Sequence, residues 1–166
     1  DIVTTMVTAL VSLLGPVRRV TGMSARGPGE RTITSEARRG ETFAVDRPTH
    51  ETALLEFASG PVATIITSYE AHASRCPRIE VYGTEGTLSA GDPNMFRGPV
   101  HVCPGRGEPW REAPLSRPYA DNWRGLGVAE MAAAIRAARP HRASGELAYH
   151  VLDAMQAVAE AAEAGR

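Results

Sequence analysis

The residues best suited to chemistry by type and spacing lie near the end of the chain. Glu146 and His150 stand four apart in a helical pattern, which puts them on one face, and His141 lies just upstream. A carboxylate and two imidazoles so spaced have the makings of a metal site and of a metal-dependent enzyme. The plainer reading is a helix-start glutamate interacting with a histidine one turn on, with no resident metal. His50, His72 and His101 fall in strand-like segments and share no spacing that defines a site. Cys76 and Cys103 lie far apart without C-x-x-C spacing, so reduced structural thiols are expected and not a zinc or thioredoxin-like centre.

Three Gly-x-Gly pairs occur, at Gly27/Gly29, Gly105/Gly107 and Gly125/Gly127. Each lacks the third glycine three residues on, and only the last leads into a helical pattern, so all three read as turn glycines. No strand, glycine-rich turn and helix follow one another with an acidic residue downstream, and the chain by itself is expected to hold no dinucleotide. The 18 basic residues are all arginine. Within this chain that excludes a Schiff base, a P-loop lysine and a lysine proton donor. There is no Gly-x-Ser-x-Gly elbow to suggest hydrolysis. A formal net charge of -1 and a pI near 6.6 provide no positive field for nucleic acid or anionic lipid. The few aromatic residues are not interleaved with a basic stripe, and Trp110 and Trp123 read as packing residues.

These groups need a scaffold. With 166 residues, 43% hydrophobic and 22% charged, the chain has the profile of one soluble globular domain spanning 1–166. No apolar run approaches a membrane span and no signal peptide opens the chain, so a cytoplasmic location is expected. A helical pattern is already running at Asp1, which suggests that the sequence begins in mid-protein. Val3, Met6, Val7, Leu10, Val11 and Leu14 recur at three- and four-residue spacing up to Gly15-Pro16, predicting an amphipathic helix. Residues 17–25 read as a strand and 26–40 as an exposed excursion. Short β-branched runs follow at 42–45, 52–57, 62–69, 79–82 and 87–89, with further strands at 100–103 and 110–113. Ser59-Gly60-Pro61 and Gly83-Thr84-Glu85-Gly86 separate neighbouring runs at hairpin distance, predicting an antiparallel meander. Val128, Met131, Ala132, Ile135 and Ala138 mark a helix ending near Arg139-Pro140. Leu147, Val151, Met155, Val158 and Ala162 mark another, with Ser144 a reasonable start and Gly165 a reasonable stop. Helix, many strands and two helices predict an α+β fold, a largely antiparallel open-faced sheet with helices packed on one face. Val62, Thr64, Ile66 and Ser68 share one side of a strand, and such an apolar face predicts cover by another copy of the chain.

Several segments together carry a family resemblance. The run from Asp1-Ile2-Val3-Thr4-Thr5-Met6 to Gly15-Pro16-Val17 resembles the helix that opens the C-terminal domain of Gfo/Idh/MocA dehydrogenases. Pro77-Arg78-Ile79-Glu80-Val81-Tyr82-Gly83-Thr84-Glu85-Gly86-Thr87-Leu88 is similar to that family's strand, Gly-Thr-x-Gly turn and strand. Arg31-Thr32-Ile33-Thr34-Ser35, residues 57–68 and the run Arg139-Pro140-His141-Arg142-Ala143-Ser144-Gly145-Glu146-Leu147 agree in order and spacing. The resemblance implies a substrate-binding and oligomerisation domain of an NAD(P)-dependent sugar or polyol dehydrogenase. NAD or NADP would be bound mainly by an N-terminal Rossmann domain, which carries the dinucleotide fingerprint and a Glu-Lys-Pro segment whose lysine acts in proton transfer; neither is in this sequence, so the chain alone is expected to be inactive. It also implies a homodimer or tetramer built through the open sheet face.

The family's second catalytic element, an aspartate followed four residues later by a histidine, falls on Asp1 and Thr5. The departures are Thr5 in place of histidine and Val3 in place of the usual glycine. A threonine hydroxyl hydrogen-bonds a substrate but is no general base at neutral pH. Tyr119, Asn122 and Arg124, which precede the helix after the sheet, and His141 are implied contacts to sugar hydroxyls; the bland alternative is that Asn122 caps a helix and Arg124 is solvated. A second function, a non-catalytic carbohydrate-binding or assembly module, stays open beside the dehydrogenase reading.

Overall fold

The structure is a computed structural model and describes residues 2–117, 119, 121 and 123–165. Its elements run α1 (Ile2–Leu14), β1 (Val17–Ala25), β2 (Glu30–Thr32), a 3-10 turn (Glu36–Arg38), β3 (Thr42–Ala44), β4 (His50–Phe57), β5 (Val62–Ser68), β6 (Ile79–Gly83), β7 (Gly86–Ala90), β8 (Val100–Cys103), β9 (Arg111–Ala113), α2 (Leu126–Arg136) and α3 (Gly145–Glu163). The fold is α+β and the strand pairings are antiparallel. The strands form three hydrogen-bonded groups, ordered β1-β4-β5, β2-β3 and β6-β7-β8-β9. The chain divides into two compact units, Leu10–Ser74 with His150–Arg166, and Asp1–Ala9 with Arg75–Tyr149.

In the first of these units β4 sets the layering. Ala53, Leu55 and Phe57 are buried, while Leu54 between them is exposed, the two-residue period of a sheet with one covered face. The register places Gly22 and Ile65 beside Ala53, and Val20 and Ala63 beside Leu55, so these side chains share the covered face. Val151, Ala154 and Ala161, buried on one side of α3, recur at helical spacing. Val158 lies on the same stripe and comes so close to β1 that a β-carbon on Gly22 would sit 3.0 Å from its carbonyl oxygen. Glycine there lets the helix settle onto the strand. The opposite face carries Met23, Leu54, Val62 and Ile66, all exposed.

The β4–β5 hairpin closes with Phe57 N–H donating to Pro61 O at 2.9 Å and Gly60 N–H donating to Phe57 O at 2.9 Å. Gly60 has φ +107, a conformation that a side chain would strain. Thr49 is the buried polar residue of this unit: its N–H donates to Ala25 O, its carbonyl accepts from Tyr69 N, and its Oγ1 accepts from Gly27 N at 2.8 Å. The stretch 26–40, expected as an exposed excursion, is largely exposed and also carries β2, which pairs with β3 as a ribbon. Its Glu30, Arg31 and Thr32 are polar on both sides and show no alternation to read; cross-strand bonds and Val45 N–H to Gly29 O hold it instead.

The other unit holds the four-stranded meander β6 to β9 with α2. Val7, Ile79 and Ala134 are its buried apolar residues. α2 ends where expected: Ala137 N–H donates to Ala133 O, Arg139 N–H to Ala134 O, and Ala138 takes φ +49 before Pro140. α3 opens on Ser144, whose Oγ accepts the Leu147 N–H at 3.2 Å. Among the described residues no helix is long and apolar enough to cross a membrane.

Candidate functional site

Four of the predicted site residues are described, and all lie in the unit that contains β6 to β9; Asp1 and Asn122 lie outside the described residues. Thr5 is half-buried on α1, one turn from the Thr8 hydroxyl that donates to Thr4 O at 2.7 Å. Tyr119 meets Trp123 edge to face, with centroids 5.7 Å apart and planes at 77°. Both rings are more than two-fifths exposed, at 41% and 47%, so Trp123 is not the packing residue expected from its type. Arg124 is exposed, with its guanidinium over the Phe96 ring, 5.8 Å from the centroid. Phe96 belongs to a shallow hollow that Asp92, Met95, Arg97, Val100 and Leu115 also line. Asp92 closes its own turn by accepting the Asn94 N–H at 2.9 Å.

His141 follows α2, and residues on either side of it contact a carboxylate on that helix. Glu130 Oε1 pairs with Arg139 Nη1 at 2.6 Å, and Oε2 accepts the Arg142 N–H at 3.1 Å. These contacts draw residues 139–142 back alongside α2. The Arg139 guanidinium, then the Arg142 backbone N–H, hold the Glu130 carboxyl below its ordinary value. Glu146 is held low as well, first by its own backbone N–H, then by the Ser144 hydroxyl and the nearby His141. His141 Nδ1 is buried with no hydrogen-bond partner among the described residues.

The metal arrangement suggested by Glu146, His150 and His141 takes a different form. His150 Nε2 accepts the Val17 N–H at 2.9 Å, so its lone pair is committed to β1. Among the described residues no group of three or more His, Cys, Asp or Glu is placed to hold a metal ion. The Gly125/Gly127 pair that leads into α2 does not directly follow a strand, since the preceding strand, β9, ends at Ala113.

A second polar cluster, which the sequence did not signal, lies in the other unit. Arg31 Nη2 pairs with Glu70 at 2.5 Å, and the guanidinium stands 5.9 Å from the Tyr69 ring centroid. The Thr49 hydroxyl, then Arg31, holds the Glu70 carboxyl low. Every group in it is partnered within the chain, so it reads as a fastening between the β2–β3 ribbon and the end of β5.

An α+β domain of antiparallel strands, a helix opening the chain and a polar segment around α2 define the class, and comparison with known proteins agrees. The model of the GFO/IDH/MocA C-terminal domain matches residues 1–89, and the chain belongs to that family. Levoglucosan dehydrogenase in complex with NADH is similar in structure, with a TM-score of 0.77 and 19% identity over 98% of this chain and 47% of that one. Aldose-aldose oxidoreductase from Caulobacter crescentus, complexed with glycerol, gives 0.71 and 21% over 98% and 44%. UDP-N-acetylglucosamine 3-dehydrogenase from Acidithiobacillus ferrooxidans gives 0.69 and 18% over 95% and 45%. At these identities the likeness shows the fold, and the chain spans less than half the length of each. No curated protein matches the sequence.

Proposed function

We propose that the chain is the substrate-binding and oligomerisation domain of an NAD(P)-dependent dehydrogenase that moves hydride between a sugar or polyol carbon and nicotinamide, and that it does not turn over alone. The family match carries this reading. The names of the similar structures, which include a levoglucosan, an aldose and a UDP-sugar oxidoreductase, support the substrate class. Tyr119, Asn122, Arg124 and His141 then contact hydroxyls: the guanidinium donates, and the imidazole nitrogen donates or accepts. Asp1 takes the carboxylate's place at the reacting carbon and Thr5 steadies a hydroxyl beside it. A nicotinamide cofactor, NAD or NADP, supplies the redox chemistry of the whole enzyme, and its binding is assigned to a Rossmann domain outside residues 1–166.

The open face that carries Met23, Leu54, Val62 and Ile66 is assigned to a second copy, giving a homodimer or tetramer in the cytoplasm. Ile66→Asp is expected to convert the assembly to monomers in sedimentation velocity; a wild-type monomer at the same concentration sinks this assignment.

The deciding experiment is the intact mass of the protein from its native source, followed by assay of NAD- and NADP-linked oxidation of aldoses and polyols. A mass larger than 17.7 kDa by a Rossmann-sized domain, with reduced nicotinamide appearing and KM raised by Arg124→Ala or Tyr119→Ala, supports the reading. A mass of these residues alone without turnover favours the carbohydrate-binding or assembly module, to which threonine at position 5 also points.

A further inference from the structure

Glu130 is not on the list of groups that would touch a sugar, yet it determines where one of them stands. Its two carboxylate oxygens are used on either side of His141: Oε1 takes the Arg139 side chain and Oε2 takes the Arg142 backbone N–H. Arg139 Nη1 also donates to Pro140 O at 3.0 Å, so the residue immediately before the histidine is held by the same ion pair. A charged acceptor contacting a guanidinium and a backbone N–H is a strong, directional restraint. The segment it restrains leaves α2 through a left-handed Ala138 and enters α3 through the Ser144 cap, both fixed geometries. Between those ends, the Glu130 contacts set the course of residues 139–142. The histidine ring in turn buries Nδ1 without a partner among the described residues, an arrangement that costs free energy and persists only where the surrounding chain imposes it.

We infer that Glu130 is a positioning residue for His141: by pinning residues 139–142 to α2 it turns Nδ1 inward and presents Nε2 to a hydroxyl of the substrate. The second half of this statement rests on the reading of His141 as a sugar contact; the first half does not. Glutamine at position 130 keeps an acceptor oxygen for the Arg142 N–H and loses the ion pair with Arg139, whereas alanine loses both.

The test uses the 166-residue chain with Glu130→Gln and Glu130→Ala. The imidazole resonances of the five histidines are compared by NMR, and the carbethoxylation rate of each is followed by peptide mass spectrometry. The expected result is a displaced His141 resonance and a several-fold change in its modification rate, larger for alanine than for glutamine, with His50, His72, His101 and His150 unmoved. An unchanged His141 in both variants overturns the proposal. So does a joint change of all five histidines in both variants, because Glu130 would then be holding the fold at large. The sugar half is tested separately in the native protein, where His141→Ala and Glu130→Gln are expected to raise KM for an aldose together. If Glu130→Gln moves the His141 signals but His141→Ala leaves KM unchanged, the positioning stands and the reading of His141 as a substrate contact fails.

Discussion

The two units of the molecule distribute burial and chemistry unequally. Leu10–Ser74 with His150–Arg166 holds the most deeply buried large side chains, Phe57, Leu55 and Val151. Asp1–Ala9 with Arg75–Tyr149 buries mainly Val7, Ile79 and Ala134, and carries Tyr119, Trp123, Arg124 and His141 on or near its surface. One unit combines apolar burial beneath a sheet with ion pairs such as Arg18 and Arg19 with Glu56 and Arg31 with Glu70, whereas the other buries less and carries the Glu130–Arg139 pair beside α2. The difference teaches that the unit with fewer buried residues is also the one that exposes more aromatic rings among the described residues, Tyr82, Trp110, Tyr119, Trp123 and Tyr149 against Phe43 and Tyr69 in the sheet unit.

The strongest way to break this comparison is to remove the apolar centre. Phe57→Ala is expected to cost about 3–5 kcal/mol, from lost transfer energy and the cavity left behind. The denaturation midpoint in urea should fall accordingly without a change of slope. A loss below about 1 kcal/mol would show that the sheet unit is not the more tightly packed of the two.

His150→Ala is expected to be next. Its Nε2 accepts the half-buried Val17 N–H, and truncation leaves that donor unpaired at a cost of about 1–3 kcal/mol. His150→Gln, which can return an acceptor, should recover part of it. Equal losses for both variants would mean that the ring's packing, not its hydrogen bond, is what matters.

Much of the scaffold was legible because the signals were local. Gly15-Pro16 stops α1, Ser59-Gly60-Pro61 turns the β4–β5 hairpin, and Ser144 opens α3. What was not legible depends on partners distant in sequence. His150 shares a helical face with Glu146 and so suggested a metal, whereas its partner lies 133 residues away. The Glu130 clamp joins positions nine and twelve apart across a chain reversal, a spacing that no helical or strand period marks. β2 escaped for a different reason: Glu30, Arg31 and Thr32, polar on both faces, leave no alternation to read, whereas its partner β3 falls in the run expected at 42–45. For the site, Tyr119, Arg124 and His141 were identifiable as polar residues around α2, but the pairing of Trp123 with Tyr119 and of Arg124 with Phe96 required the fold.

A smaller effect, opposite in sign, tests the end of α2. Ala138 holds φ +49, which for a residue with a β-carbon is unfavourable by roughly 1 kcal/mol. Ala138→Gly relieves that strain while adding some chain entropy to the unfolded state, so a net gain of about 0.5–1 kcal/mol is expected. Calorimetry showing destabilisation would mean that the methyl group makes a contact worth more than the strain.

The smallest effect concerns acid, and it tests both units together. Glu130 and Glu146 in one unit and Glu70 in the other are held below their ordinary value in the folded state, by hydrogen bonds in all three and by neighbouring arginines at Glu130 and Glu70. A carboxyl lowered on folding binds fewer protons in the folded than in the unfolded chain across the interval between its two pKa values, so stability rises with pH there. The contribution is fully present above the unfolded glutamate value of about 4.5 and disappears as pH falls through the lowered folded value. All three carboxyls are solvent-facing, which screens the effect. The melting temperature is therefore expected to decline between about pH 5 and about pH 3, and less steeply in Glu130→Gln and Glu70→Gln than in wild type. If the two substitutions flatten the profile equally, the ionic fastening is shared by both units, and the contrast between them lies in their apolar cores alone. If only Glu130→Gln flattens it, the thin-cored unit is the one whose geometry depends on charge.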